Sequence, residues 1–146
     1  MKALIQRVNF SKMQIDEEIY SEISKGFLVL LGVEAGDTEK DFDYIKKKII
    51  NLRIFEDENE KMNLNIKQVN GEIMLVSQFT LCADTSQGNR PSFINAEKPE
   101  RANEIYEKMI NEIRKEGIKV ETGKFGAHMK INFENDGPVT IMLQSK

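Results

Sequence analysis

The stretch Ile73-Met-Leu-Val-Ser-Gln-Phe-Thr-Leu81 decides how the rest of the chain is interpreted. Its first half is a continuous apolar run, which is typical of a β-strand that is covered on both faces. Its second half interrupts that run with Ser77, Gln78 and Thr80. Two interpretations are open. Either the strand end emerges into solvent, or its polar side chains form the floor of a ligand pocket with mostly apolar walls.

The composition is that of an ordinary globular domain. The chain has 146 residues, of which 40% are hydrophobic and 31% are charged, so we expect one domain that spans residues 1–146. The longest apolar run, Phe27 to Leu31, is too short to cross a bilayer, and no apolar signal segment opens the chain. We therefore expect a cytoplasmic protein without a membrane partner.

The rarest side chains give little sign of metal or redox chemistry. Cys82 is the lone cysteine and lies between Leu81 and Ala83, which favours a small buried apolar group over a nucleophile. One histidine and no cysteine cluster predict no metal site, and nothing indicates a cofactor. The net charge of -3 indicates that any RNA contact is local. The basic candidates, each also typical of a solvated surface, are Lys46, Lys47 and Lys48, Arg90, and Lys124 with Lys130.

Apolar periodicity predicts two main helices among several strands. One helix is predicted over Glu39 to Asn51, begun by Thr38 with Asp41, and the other over Pro99 to Glu116. Gly26 to Val33 is a bounded apolar run and predicts a buried central strand. Further strands are predicted over Met1 to Phe10, around Ile15, Ile19 and Ile23, and over Arg53 to Phe55, Ile118 to Glu121, Met129 to Glu134 and Val139 to Leu143.

Two turn signals complete the predicted topology. Asn70-Gly71 predicts a hairpin that joins Ile66–Val69 to the strand beginning at Glu72, which would make that strand antiparallel to its neighbour. Asn135-Asp136-Gly137-Pro138 predicts a second turn, where a proline after glycine indicates a sheet edge or a special turn, with a cis bond as the rarer alternative. The expected fold class is α+β, with two main helices against a mixed or antiparallel sheet that curls toward a barrel.

Several motifs together resemble one known family. Ser77 to Leu81, combined with Asn135 to Thr140, is similar to the paired signature of the D-aminoacyl-tRNA deacylases. Arg90 to Phe93, Gly123 to Met129 and Gln6 to Val8 also resemble that family, so the similarity covers the whole chain. Either half of the signature alone would be a weak signal, but both halves at this separation in a chain of this length are a strong one.

The resemblance implies an activity and a set of site residues. The expected reaction is hydrolysis of the ester between a D-amino acid and the terminal ribose of tRNA, carried out by a homodimer that binds the aminoacyl-tRNA 3′ end. Backbone carbonyls from the partner subunit would reject the L hand whatever the side chain, so glycyl-tRNA should also be accepted. By resemblance, Ser77, Gln78, Phe79 and Thr80 line the pocket, Phe125 and Ala127 lie beside it, and Gly137 and Pro138 form a cis peptide that enters the partner's pocket.

The mechanism and the function class keep alternatives open. Thr80 with His128 is one hypothesis for a nucleophile and its base. The alternative implied by the resemblance is that Thr80 only positions the substrate, while the 2′-hydroxyl of the ribose assists. Besides the deacylase, two other classes remain: a non-enzymatic module that binds RNA ends, and a threonine-nucleophile hydrolase of small esters.

Overall fold

The computed structural model describes all residues 1–146 as a mixed β-sheet with two helices. The helices are α1 (Glu39–Asn51) and α2 (Pro99–Lys115), and neither is long and apolar enough to cross a membrane. The strands are β1 (Lys2–Ile15), β2 (Glu18–Ile23), β3 (Gly26–Gly32), β4 (Phe55–Glu56), β5 (Met62–Leu64), β6 (Glu72–Ser77), β7 (Val120–Thr122) and β8 (Lys130–Gln144).

Strand β1 is the axis of the sheet and has three antiparallel neighbours, β2, β3 and β8. Beyond β3 the sheet continues through β6 and β7, which run parallel to it. The sheet curls so that its two end strands meet, and the Ser21 hydroxyl of β2 donates a hydrogen bond to the Thr122 carbonyl of β7 at 2.6 Å. The predicted α+β class, with two helices and a mixed sheet that curls toward a barrel, is confirmed.

Strand β3 is buried on both faces, which explains its continuous apolar run. Phe27 belongs to the larger core cluster between the sheet and the helices, where its ring stacks on Phe55 with centroids 5.0 Å apart. Its neighbour Leu28 belongs to a second cluster on the opposite face, together with Met74 of β6. Successive side chains of a strand alternate between faces, so a strand with two covered faces needs apolar residues at every position.

Helix α1 has the predicted bounds, and α2 ends one residue before the predicted Glu116. The Asp41 carboxylate accepts hydrogen bonds from the backbone N–H and the hydroxyl of Thr38, at 2.9 and 2.7 Å. These hydrogen bonds hold the pKa of Asp41 well below its ordinary value. The hydroxyl of Tyr106 in α2 donates to the Leu75 carbonyl of β6 at 2.8 Å, which fastens the second helix to the strand that leads to the site.

The predicted hairpin at Asn70-Gly71 is wrong. Residues 66–70 form a turn closed by a hydrogen bond from the Gly71 N–H to the Ile66 carbonyl at 2.9 Å, and β6 is parallel to both its neighbours. Asn70 does adopt the expected left-handed conformation, with φ of 50°. That conformation ends a helix-like turn as readily as it makes a hairpin, so the pair alone does not specify which partner strand follows.

The predicted turn at Asn135 to Pro138 is also wrong, because β8 continues through it. Residues on both sides of the motif pair with β1 in the same antiparallel direction, Asn135 with Val8 and Thr140 with Gln6. Residues 136–139 bulge out of the ladder, since these four residues lie opposite the single residue Arg7 of β1. A bulge re-aims the chain without reversing it.

The remaining differences concern strand ends. Ile15 is the last residue of β1 instead of part of a separate short strand, and Ile19 and Ile23 both lie in β2. The short strand predicted over Arg53–Phe55 is displaced to Phe55–Glu56, where it pairs with β5. Strand ends shift in this way because the pairing partner, and not the strand's own sequence alone, decides where a ladder stops.

Candidate functional site

A cavity of about 660 Å³ lies where β6 ends, beside the first turn of α2. This volume is typical of sites that hold small organic ligands. The residues that line it include five of those predicted from the sequence: Ser77, Gln78, Phe79, Phe125 and Ala127. The cavity is also lined by Phe93, Lys98, His128 and Met129. A cavity therefore lies at the polar end of the strand, where the sequence predicts a pocket, and its role in binding a substrate stays a prediction.

The backbone changes from strand to turn where the polar residues meet the cavity, because the strand expected to run through Leu81 ends early. Strand β6 ends at Ser77, the Gln78 N–H donates to the Leu31 carbonyl at 2.7 Å, and Phe79–Cys82 forms a 3₁₀ turn. Gly32 of β3 permits this turn, since a Cβ there would lie 3.1 Å from the Leu81 Cβ. The pocket wall is thus a strand end followed by a turn.

Thr80 is exposed and stands next to the cavity lining. Its hydroxyl oxygen accepts a hydrogen bond from the side-chain amide of Gln78 at 2.6 Å. His128 does line the cavity, but the hydrogen-bond partner of Thr80 is this carboxamide, which is no base. The arrangement orients the threonine hydroxyl and supplies no group that would activate it as a nucleophile.

Aromatic rings form much of the cavity wall. Phe79 and Phe93 meet edge to face with centroids 5.0 Å apart, and Phe79 is 56% exposed. On the other side, Phe125 lies 6.2 Å from the ring of Tyr106. Burial raises the pKa of the Tyr106 phenol, whose hydroxyl already donates to the backbone, so this tyrosine has a structural role. Exposed rings of this kind can pack against a flat base or an apolar side chain.

Gly137 and Pro138 lie at the bulge of β8, are solvent-exposed, and are absent from the lining of the cavity in their own chain. The peptide bond between them is cis, the isomer that the resemblance implies. The bulge is held locally, since the Val139 N–H donates to the Asn135 side-chain oxygen at 3.1 Å. Gly137 has φ of 128°, a backbone region that favours glycine.

Arg7 also lies in this region, and the sequence analysis includes it in the similarity of Gln6 to Val8 without giving it a role. It is 6% exposed, and its guanidinium donates to the Asp136 carbonyl at 3.1 Å and to the Ile54 carbonyl at 2.7 Å. The Asp136 carboxylate lies 3.3 Å from the same guanidinium. The sequence does contain a sign that Arg7 is unusual. It lies on the same buried face of β1 as Ala3 and Ile5, where an apolar side chain would be expected.

The cysteine is buried away from this cavity, and no metal-binding cluster is found. Cys82 is 2% exposed, and burial raises the pKa of its thiol, so the prediction of a small buried group is confirmed. No group of three or more histidine, cysteine, aspartate or glutamate side chains is arranged to hold a metal ion. What the cavity offers is the hydroxyl of Ser77 and the carboxamide of Gln78, together with the side chains of Glu97, Lys98 and His128, between apolar walls.

Comparison with known proteins assigns the chain to a family. A profile described as D-Tyr-tRNA(Tyr) deacylase matches residues 4–144. Relatives named D-aminoacyl-tRNA deacylase include those of Clostridium perfringens, 51% identical over 146 residues, and Flavobacterium psychrophilum, 53% identical over 147 residues. Both alignments cover 100% of this chain and 98% of the relative.

Two solved structures share the fold of this chain. One titled "c-Myc DNA Unwinding Element Binding Protein" has a TM-score of 0.94 and 40% identity, and the match covers 100% of this chain and 99% of that one. A probable eukaryotic D-amino acid tRNA deacylase has a TM-score of 0.81 with 14% identity over 97% of both chains, which shows a shared fold. The chain therefore belongs to the D-Tyr-tRNA(Tyr) deacylase family, whose members are hydrolases that act on aminoacyl-tRNA.

Proposed function

We propose that the protein hydrolyses the ester bond between a D-amino acid and the terminal ribose of tRNA, releasing the free D-amino acid and the tRNA. Family membership supports the reaction class. The observation that carries the proposal is the cavity, because hydroxyl and carboxamide groups of Ser77 and Gln78 meet the apolar surfaces of Phe79, Phe125 and Ala127 there. Such a site suits an acylated ribose, which has polar and apolar parts.

In the proposed reaction a water oxygen attacks the ester carbonyl, the acyl C–O bond breaks, and the ribose oxygen leaves with a proton. We propose that the 2′-hydroxyl of the substrate assists this transfer while pocket groups steady the carbonyl oxygen. Thr80 would position the substrate. Its hydroxyl is held by the Gln78 carboxamide at 2.6 Å, which supports orientation of the ester and gives no reason to invoke a covalent intermediate.

We propose that a homodimer supplies chiral selection. Gly137 and Pro138 are exposed at the β8 bulge of one chain, and in the dimer their backbone carbonyls would enter the partner's cavity beside the α-carbon of the substrate. L- and D-amino acids differ there by exchange of a hydrogen and a side chain. Carbonyls facing that carbon would therefore exclude the L hand whatever the side chain is. We place this activity in the cytoplasm, where aminoacyl-tRNA is made and used.

Glycyl-tRNA is then expected to be a substrate as well. A gate that works by clash cannot reject a residue with no side chain, and loss of a methylene-sized contact in an apolar pocket lowers binding by only about 1 to 3 kcal/mol. We expect hydrolysis within about two orders of magnitude of a D-aminoacyl-tRNA, which corresponds to roughly 2.7 kcal/mol in the barrier.

The test is a side-by-side measurement of initial rates on D-tyrosyl-, L-tyrosyl-, glycyl- and L-alanyl-tRNA. Hydrolysis of the D and glycyl substrates, with both L substrates intact, is the expected outcome. Intact glycyl-tRNA would mean that the side chain is recognised directly, and cleaved L-alanyl-tRNA would mean that no carbonyl gate exists.

A binding function without turnover is the second candidate, since a structure 40% identical to this chain carries a DNA-binding title. Binding of tRNA with no hydrolysis of any aminoacyl ester would favour it. The third class, a threonine-nucleophile hydrolase, predicts cleavage of small esters in the absence of RNA together with an acylated Thr80. The same preparation of protein distinguishes all three outcomes.

A further inference from the structure

We propose that Arg90, Lys98 and Lys124 form a basic rim that binds the phosphodiester groups next to the esterified nucleotide. This inference rests on the proposed function and adds to it the face on which the RNA lies. It concerns one side chain of the cavity wall, Lys98, and two beside the cavity, all distinct from the groups proposed to meet the ester itself.

The three cations come from three separate segments that border the same cavity. Lys98 lines it directly, and Lys124 immediately precedes the wall residue Phe125. Arg90 lies in the loop closed by the paired backbones of Asp84 and Ser92, whose N–H to carbonyl distances are 2.8 and 2.9 Å. That loop leads directly into Phe93, another wall residue. The basic rim therefore follows from the fold that builds the cavity.

The basic rim carries positive charge that the protein does not neutralise. All three side chains are exposed, and none has a carboxylate within ion-pairing distance. Some other surface cations are paired, as where Lys67 meets Glu116 at 2.7 Å. An uncompensated cluster next to a cavity is suited to bind an anion.

Two acidic groups near the basic rim are already engaged. Glu97 lines the cavity, but its carboxylate accepts hydrogen bonds from the Arg101 guanidinium at 2.6 Å and from the Lys98 backbone N–H at 2.8 Å. Asp84 accepts the Ser86 N–H at 2.9 Å, and this bond lowers the pKa of its carboxyl. Neither carboxylate lies in contact with a side-chain charge of the rim.

The overall charge makes a local site necessary. The chain carries a formal net charge of -3, so the protein as a whole does not attract RNA, whereas each phosphate neutralised by a cation favours binding through counterion release. A second basic surface exists on α1, at Lys47 and Lys48. It adjoins Lys46, whose ammonium group pairs with the Glu112 carboxylate of α2 at 3.6 Å. Glu112 lies about 15 Å along α2 from Ala102, which lines the cavity. The position of the basic rim beside the cavity favours it for the phosphates nearest the ester.

The test compares a rim variant, Arg90→Gln/Lys98→Gln/Lys124→Gln, with a control of equal charge change on α1, Lys40→Gln/Lys47→Gln/Lys48→Gln. For each, kcat/KM on D-tyrosyl-tRNA is measured between 50 and 300 mM salt, a range chosen because phosphate contacts weaken steeply there. A single-stranded phosphate contact contributes about 0.7 to the slope of log affinity against log salt. The slope of log kcat/KM against log salt should therefore be shallower by about 2 for the rim variant, and its lower kcat/KM should come from a higher KM. The control should keep the wild-type slope.

A second substrate separates phosphate binding from damage to the cavity. The D-tyrosyl ester of adenosine has no phosphate, so its hydrolysis should be independent of salt for every variant. A rim variant with the wild-type slope on tRNA, or an α1 control that lowers the slope as much, would overturn the proposal. An equal loss of rim-variant activity on the adenosine ester would also contradict it. If the wild-type protein hydrolyses no D-tyrosyl-tRNA at any salt concentration, the proposed function itself fails.

Discussion

Replacement of Arg7 by methionine is expected to loosen the bulge that carries Gly137 and Pro138. The guanidinium, with only 7% of the side chain exposed, donates to the carbonyls of Ile54 and Asp136 at 2.7 and 3.1 Å. Hydrogen bonds that involve a charged group contribute about 1.5 to 3 kcal/mol each, and methionine retains much of the apolar packing. Because burial of a cation also carries a desolvation penalty, we expect unfolding free energy to fall by about 2 to 4 kcal/mol.

The functional effect should be larger on chirality than on turnover. If the bulge selects the D hand, a mobile bulge admits L-tyrosyl-tRNA, and the ratio of D to L rates should fall at least about tenfold, equivalent to 1.4 kcal/mol. Urea unfolding measures the stability, and initial rates on D- and L-tyrosyl-tRNA measure the selectivity.

Arg114→Met is the control, since that more exposed guanidinium also donates to a backbone carbonyl, of Val120 at 2.8 Å, but lies in α2 away from the bulge. It should lower stability and leave the D to L ratio unchanged. A folded Arg7→Met protein with wild-type selectivity would refute the reasoning, and so would equal loss of selectivity in both variants.

Three further outcomes are expected. Thr80→Ala should retain measurable turnover of D-tyrosyl-tRNA, whereas a 2′-deoxy terminal adenosine should nearly abolish it; a trapped aminoacyl ester on Thr80 would contradict the first half. Gly26→Ala should lower stability by more than about 4 kcal/mol, because the new Cβ would lie 1.8 Å from the Glu72 carbonyl oxygen, and thermal unfolding measures this loss. Asp41, whose pKa is lowered by Thr38, stabilises the fold fully above about pH 4 and loses that contribution as the pH falls through its folded pKa. Asp41→Asn should therefore lose less stability than wild type between pH 5 and pH 2 in urea titrations.

Features that depend on neighbours in sequence were predictable. Helix α1 follows from its capping pair and its apolar spacing, and it has the predicted bounds of Glu39–Asn51. Strand β3 follows from an apolar run that requires two covered faces. The cavity followed from polar residues at the end of such a run, combined with a family resemblance that brought Phe125 and Ala127 to the same place.

Features that depend on distant partners were not predictable in the same way. Asn70 adopts the left-handed conformation that its type favours, but local conformation does not determine whether the following strand pairs backward or joins β3 in parallel. Gly71 is explained by packing instead, because a Cβ there would lie 2.5 Å from the Ile66 Cδ1. Ile66, which begins the turn, is therefore the residue that requires a glycine at position 71. The two residues come into contact only when the turn is folded.

The length of β1 explains why the motif at Asn135 to Pro138 is a bulge. A strand over Met1 to Phe10 offers too few residues to pair with segments on both sides of the motif, so a reversal of the chain is the natural interpretation. The actual β1, Lys2–Ile15, has 14 residues and spans about 46 Å at 3.3 Å per residue. Residues 2–6 therefore pair with residues 140–144, and residues 8–14 pair with residues 130–135. Arg7 is left opposite the four residues 136–139, and its guanidinium donates a hydrogen bond to the Asp136 carbonyl. A long partner strand thus accommodates a turn sequence as an exposed bulge of β8, a geometry that can project a backbone segment toward a second molecule.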